Sequence, residues 1–298
     1  MLLAALFVVL FSLVFCLLVA GLLHLLPRVG GEAWSRWLSE APGLDVAVFA
    51  LTVLPQLVGL AAGVARDAGF LGTILLILAA VVGQGLALFA WMRLHELAHK
   101  EAMRGPRLKR SMNRAVGPVA NGFAVWWTAL AVPVFAIVRL AEIVVYPPLV
   151  KIIHLPAYDT KGYINVSRQK HEHLVGADRI WCLYCDWMTG VWSLGTEILR
   201  NIESFWCPLR YGNAAKCENC VQEFPDIDGG WAPADSGMAG AVAAAEKHYP
   251  GPPDENGKPF NSWFGHPKRQ ALAQLTVGGA EVAGLEDAAA TPRGGGGA

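Results

Sequence analysis

MLLAALFVVLFSLVFCLLVAGLLHLL, residues 1–26, carries no charged side chain, and its length decides how the chain begins. A helix rising about 1.5 Å per residue needs about 20 apolar residues to cross about 30 Å of hydrocarbon. The run therefore predicts a spanning helix. A cleaved signal peptide would open on positive charge and carry a shorter apolar core before a small-residue cleavage site, whereas here the first charge is Arg28, beyond the run. His24, near the end of the run, reads as an interfacial residue.

Working outward, three further apolar segments follow, at 45–65, 70–92 and 118–150. Residues 1–92 hold only Arg28, Glu32, Arg36, Glu40, Asp45, Arg66 and Asp67 as charged side chains, and every histidine except His24 lies beyond them. That asymmetry separates a membrane half, 1–150, from a polar half. The short break at Arg66–Gly69 makes the second and third segments an antiparallel hairpin. Gly59 and Gly63 have the spacing that lets helix backbones approach closely in lipid, and Gln56 and Gln84 can bond to one another between the two helices. In the fourth segment, Pro133 and Pro147-Pro148 suggest a crossing at 119–140 followed by a bent interfacial stretch. Arg139 and Glu142, three apart on one helical face, can neutralise each other near the membrane boundary, where the arginine can snorkel.

Positive charge in the connections sets orientation. Residues 27–44 and 93–117 hold nine Lys and Arg between them, against Arg66 alone on the opposite side, so 93–117 is predicted cytoplasmic. Four crossings put the polar half outside; a fourth segment that dips in and returns puts it in the cytoplasm, as Lys151, Lys161, Arg168 and Lys170 favour. The predicted class is mainly α: a membrane helix bundle (1–150), a small cysteine-rich irregular and helical domain (151–232), a peripheral extension (233–276) and a disordered Gly/Ala-rich tail (277–298). The expected location is the inner (cytoplasmic) membrane, multi-pass. The expected partners are the lipid bilayer and other membrane subunits. A net charge of zero with one dense basic cluster gives no nucleic-acid footprint.

Five of the six cysteines fall between positions 182 and 220: Cys182 and Cys185, then Cys207, then Cys217 and Cys220. Two CxxC pairs about 31 residues apart can supply four thiolates to one tetrahedral zinc, or to a rubredoxin-type iron. Disulfides are the alternative if the domain lies outside, and an odd count then leaves one thiol over, best assigned to Cys207. Apolar residues from Trp192 to Trp206 recur at helical spacing, predicting an amphipathic helix with Glu197, Arg200 and Glu203 on its wet side. The first CxxC is then expected at or just before the start of that helix. A straight helix would hold Cys207 about 30 Å from the first pair, so the sequence calls either for a break near Ser193-Leu-Gly195 or for a site without Cys207. The tryptophans around the cysteines, Trp181, Trp187, Trp192 and Trp206, suit a core or a membrane interface. Further on, Asp235-Ser236 is placed to cap a short alanine-rich helix running to about Lys247.

A second reading starts from His95-Glu96-Leu97-Ala98-His99, an HExxH match directly after the third segment. On a helix the two histidines can face one ion while the glutamate activates a bound water. The stretch resembles the membrane-embedded zinc metalloproteases. The resemblance implies His95 and His99 as ligands and Glu96 as general base. It also demands a third ligand, for which the sequence offers only Asp228 in a polar loop beyond the cysteines. The plainer alternative is a helix running on past the membrane, with Glu96 paired to Lys100 at i,i+4. His171 and His173 read as solvated surface or additional ligands.

Overall fold

The computed structural model describes residues 1–168, 171, 173–206, 236–251, 257 and 261. Apart from an isolated bridge between Glu40 and Asn165, the regular structure of these residues is helical. The chain opens with α1 (Leu2–Ser39), α2 (Gly43–Thr52), α3 (Leu54–Val64) and α4 (Gly69–Ala98). Short helices α5 (Lys100–Arg104) and α6 (Leu108–Val116) lead into α7 (Pro118–Thr128), a 3₁₀ turn at Ala129–Ala131, α8 (Val132–Val144) and α9 (Tyr146–Ile152). Then come α10 (Thr160–Tyr163), α11 (Ala177–Trp206) and α12 (Gly237–His248).

Three stretches are long and apolar enough to cross a membrane: Leu2–Ser39, Gly69–Ala98 and Pro118–Ile152. A fourth forms if α2 and α3, bent by 42° relative to each other, count as one span. All four expected segments are therefore present as helices. Their outer faces are bare, with Leu3 84% and Phe70 80% exposed, a surface that suits hydrocarbon rather than water. Two boundaries differ from the sequence expectation. Residues 27–39 are helical rather than a loop, because Pro27 is accommodated within α1 and Gly31, at φ 66°, absorbs the kink. Residues 93–117 are largely helical too, since α4 runs five residues beyond Arg93 and α5 and α6 follow.

Close packing explains the small residues. A Cβ on Gly59 would sit 2.7 Å from the Leu76 carbonyl oxygen, and one on Gly63 2.6 Å from Thr73 Oγ1, so α3 meets α4 at backbone distance. Gly83 does the same for α1, whose Val9 carbonyl lies 2.4 Å from the position of its missing Cβ. The bend between α2 and α3 has a covalent cause. Pro55 has no N–H, so the Leu51 carbonyl loses its intrahelical donor. Gln84 Nε2 replaces it, donating to Leu51 O and Thr52 O at 2.9 Å each, and Gln56 reaches Gln84 at 3.4 Å. Hydrocarbon offers no water to those carbonyls, so the amide of α4 completes the bend.

Pro133 and Pro147-Pro148 stand in the first turns of α8 and α9, where a missing N–H costs nothing, so the apolar path continues to Ile152 instead of stopping at 140. The polar segment beyond it is pinned back onto the end of α1, with Val166 N–H donating to Ser39 O at 2.8 Å and Ala41 N–H to Ile164 O at 3.0 Å. Against this segment and α8 lies α11, thirty residues without interruption. Trp187, Val191, Leu194 and Ile198 form its buried stripe, joined by Leu44, Tyr146 and Ile164. Burying such side chains contributes about 1.5–3 kcal/mol each before entropy is counted.

The break expected at Ser193-Leu-Gly195 is absent. Gly195 serves packing instead: a Cβ there would meet Glu142 Oε1 at 3.1 Å, and one on Gly190 would meet the Tyr163 carbonyl at 2.4 Å. Nor does the first CxxC open the helix, because Cys182 and Cys185 are its sixth and ninth residues. At the far end, Tyr249 beyond α12 stacks edge-on to Phe205 at 5.3 Å and donates to Ser204 O at 3.1 Å. Ser236 precedes α12 without a side-chain cap bond. Cys207, Cys217, Cys220, Asp228, the tail 277–298 and most of 233–276 lie outside the described residues.

Candidate functional site

Residues three apart on a helix share a face, so α11 sets the Cys182 and Cys185 thiols side by side. Both are free, Cys185 exposed and Cys182 half-buried. The helix is held beside them by Tyr184, whose hydroxyl donates to Thr128 O at 2.7 Å, and by Asp186, which pairs with Arg168 Nε at 2.8 Å and accepts from its N–H at 3.1 Å. Burial pushes the Cys182 thiol above its ordinary value, with Asp186 and Cys185 adding to the rise and Arg168 opposing it. At neutral pH, therefore, Cys182 carries its proton, and a metal binding there must displace it. The pair offers two sulfurs of a four-sulfur set. Trp206, the last described residue before Cys207, lies about 32 Å along the axis from Cys185.

The HExxH stretch occupies the last turn of α4. His95 stacks on Trp91 at 4.7 Å and on His99 at 4.3 Å, with His24 of α1 at 6.0 Å. The indole N–H of Trp91 donates to His24 Nε2 at 3.1 Å, the Gly176 N–H donates to His95 Nδ1 at 3.3 Å, and His99 Nδ1–H donates to the His95 carbonyl at 2.9 Å. Ring lone pairs lie in the ring planes. With the planes of His95 and His99 only 22° apart, their nitrogens run side by side rather than toward one point.

Glu96 pairs with Arg93 at 3.0 Å instead of Lys100, and its side chain packs under Gly176, where a Cβ would meet Glu96 Cγ at 2.4 Å. The column thus ties α1, α4 and the start of α11 together. The partner of His24 was missed from sequence, although His24 and Trp91 stand near the same end of two neighbouring apolar segments. His171 and His173 are exposed, as a solvated surface requires, and the His173 carbonyl accepts from Arg107 at 2.7 Å. Among the described residues, no three His, Cys, Asp or Glu side chains come together as a metal site would need.

The third polar cluster is buried. Arg139 meets Glu142 at 2.9 Å, as its spacing suggests, but it also holds Asp45 Oδ2 from Nε at 3.0 Å and from a terminal nitrogen at 2.7 Å. The Trp187 indole N–H donates to the other Asp45 oxygen at 3.1 Å. The arginine does not snorkel; its side chain is only 8% exposed and is enclosed between α2, α8 and α11. Glu142 Oε1 has no hydrogen-bond partner among the described residues.

No family model, curated protein or solved structure matches the chain.

Proposed function

We propose that this is a membrane-anchored protein that carries one tetrahedral zinc on Cys182, Cys185, Cys217 and Cys220, serving as an accessory, scaffolding or electron-transfer-associated subunit. The supporting observation is the free thiol pair on one side of α11, with Cys185 exposed and Cys182 half-buried on a helix fixed to the membrane bundle. A metal can take both sulfurs without unwinding α11, and the second pair can close the set from the chain beyond Trp206. Cys207 is left out of this set. Iron in the same four-sulfur site would give the electron-transfer form.

Metal analysis of purified full-length protein tests the reading. One zinc per chain, lost in Cys217→Ser and in Cys185→Ser but kept in His95→Ala, is the expected result. The reverse pattern assigns the metal to His95 and His99, with Glu96 as base, and sinks the four-cysteine proposal. A thiolate-to-iron absorption band in the visible would replace zinc by iron at the same four sulfurs.

A further inference from the structure

Between the end of α4, α6 and the start of α11 lies a cavity of about 210 Å³. Its walls carry four cations, Arg93, Arg107, Lys109 and Arg110, and two carboxylates, Glu96 and Asp178. Both carboxylates are already engaged. Glu96 pairs with Arg93 at 3.0 Å, and Asp178 pairs with Arg107 at 2.7 Å while accepting from the Leu108 and Lys109 amides at 3.2 and 2.9 Å. Asp178 therefore occupies the N-terminus of α6, and any anion entering the cavity must be read by side chains. Lys109 and Arg110 make no ion pair among the described residues, so the cavity holds an excess of two positive charges.

The other side of α6 is apolar and uncovered. Leu108, Met112 and Val116 recur every four residues and are 54%, 44% and 61% exposed. After the turn at Gly117 the same character continues into α7, with Val119 84% and Phe123 65% exposed. At 3.6 residues per turn Lys109 falls on the border between this stripe and the cavity-lining side. A ligand that fits both features has a phosphate at one end and aliphatic chain at the other. It also meets the protein where α4, a membrane-crossing helix, ends.

We infer that this cavity is a headgroup site for an anionic phospholipid, with Lys109 and Arg110 contacting the phosphate while the acyl chains lie along Leu108, Met112 and Val116. Each cation near such a headgroup is worth about five-fold in affinity, so the two together give about thirty-fold.

The test titrates the full-length protein in detergent with short-chain phosphatidylglycerol, short-chain phosphatidylcholine and inorganic phosphate, with binding counted by native mass spectrometry. Phosphatidylglycerol should bind about thirty-fold more tightly than phosphatidylcholine and weaken as salt is raised. Arg110→Gln should lose about five-fold, and Lys109→Gln with Arg110→Gln should remove the preference. Arg114→Gln, on the same helix but outside the cavity lining, serves as the control and should keep most of it. Equal binding of the two lipids, or a preference that survives in the double variant with its helical circular dichroism intact, overturns the assignment. Inorganic phosphate binding as tightly as phosphatidylglycerol also overturns it, assigning the cavity to a soluble anion.

Discussion

Asp45 is the residue on which most of the buried electrostatics converges, holding Arg139 through one oxygen and Trp187 through the other. Asp45→Ala leaves Arg139 balanced by Glu142 but takes the acceptor from two of its N–H groups and from the Trp187 indole, and should cost about 1–3 kcal/mol for each donor left buried and unpaired, read as a drop in unfolding temperature in detergent. Glu142→Gln should cost less, because the amide oxygen still accepts from Arg139, Asp45 still balances the guanidinium, and a neutral NH2 replaces the unpartnered oxygen of a buried carboxylate. The Arg139–Glu142 pair was legible in the sequence because three residues on one helix settle the geometry. Asp45 was not: its distance of 94 residues from Arg139 carries no local signal.

Cys182 gives a pH-dependent outcome at the same scale. Its raised thiol value means the fold favours the neutral form. That contribution to stability is present below the ordinary thiol pKa of about 8.5 and is lost as pH rises through the raised value. In metal-free protein, alkylation of Cys182, followed on its own peptide by mass spectrometry, should be slower at neutral pH than that of a cysteine peptide. It should also keep accelerating at pH values where the peptide has levelled off. Zinc uptake should release protons and strengthen with rising pH, which a pH-stat titration would register.

Among the elements, the α2–α3 bend shows what a pattern of apolar residues can and cannot tell. Two apolar helices in this region followed directly from their length and from the glycine spacing. The bend required knowing that Gln84 stands opposite the carbonyl that Pro55 leaves without a donor. Gln84→Leu should cost about 1–3 kcal/mol, because the Leu51 carbonyl then keeps only the weak thiol donor of Cys16 at 3.7 Å. Gly59→Val should cost a similar amount, about 1–3 kcal/mol, since the Leu76 carbonyl is backbone and cannot yield; thermal unfolding of both variants checks the pair. In α11 the glycine at 195 misled in the opposite direction. Glycine weakens a helix intrinsically, yet here its missing side chain admits Glu142, and tertiary packing outweighs propensity.

For the molecule as a whole, the four apolar segments were legible because lipid demands long runs whatever their partners. The course of α11 was not, since it depends on contacts between distant parts of the chain. α11 begins beside the basic stretch, through Arg107–Asp178 at 2.7 Å and Gly176–His95, and then runs in the same direction as α8, with Tyr184 at Thr128, Trp192 against Phe135 and Gly195 at Glu142. Cys185 should accordingly react with a membrane-impermeant maleimide from the side that carries residues 93–117, and labelling sealed vesicles of both orientations would check it. The charged knot around Asp45 also has a history in time. Ribosomes add about 5–20 residues per second, so the carboxylate waits about 5–20 s for its arginine and longer for the indole 142 positions away. During that interval the newborn hairpin holds a negative charge whose buried partners have not yet been made.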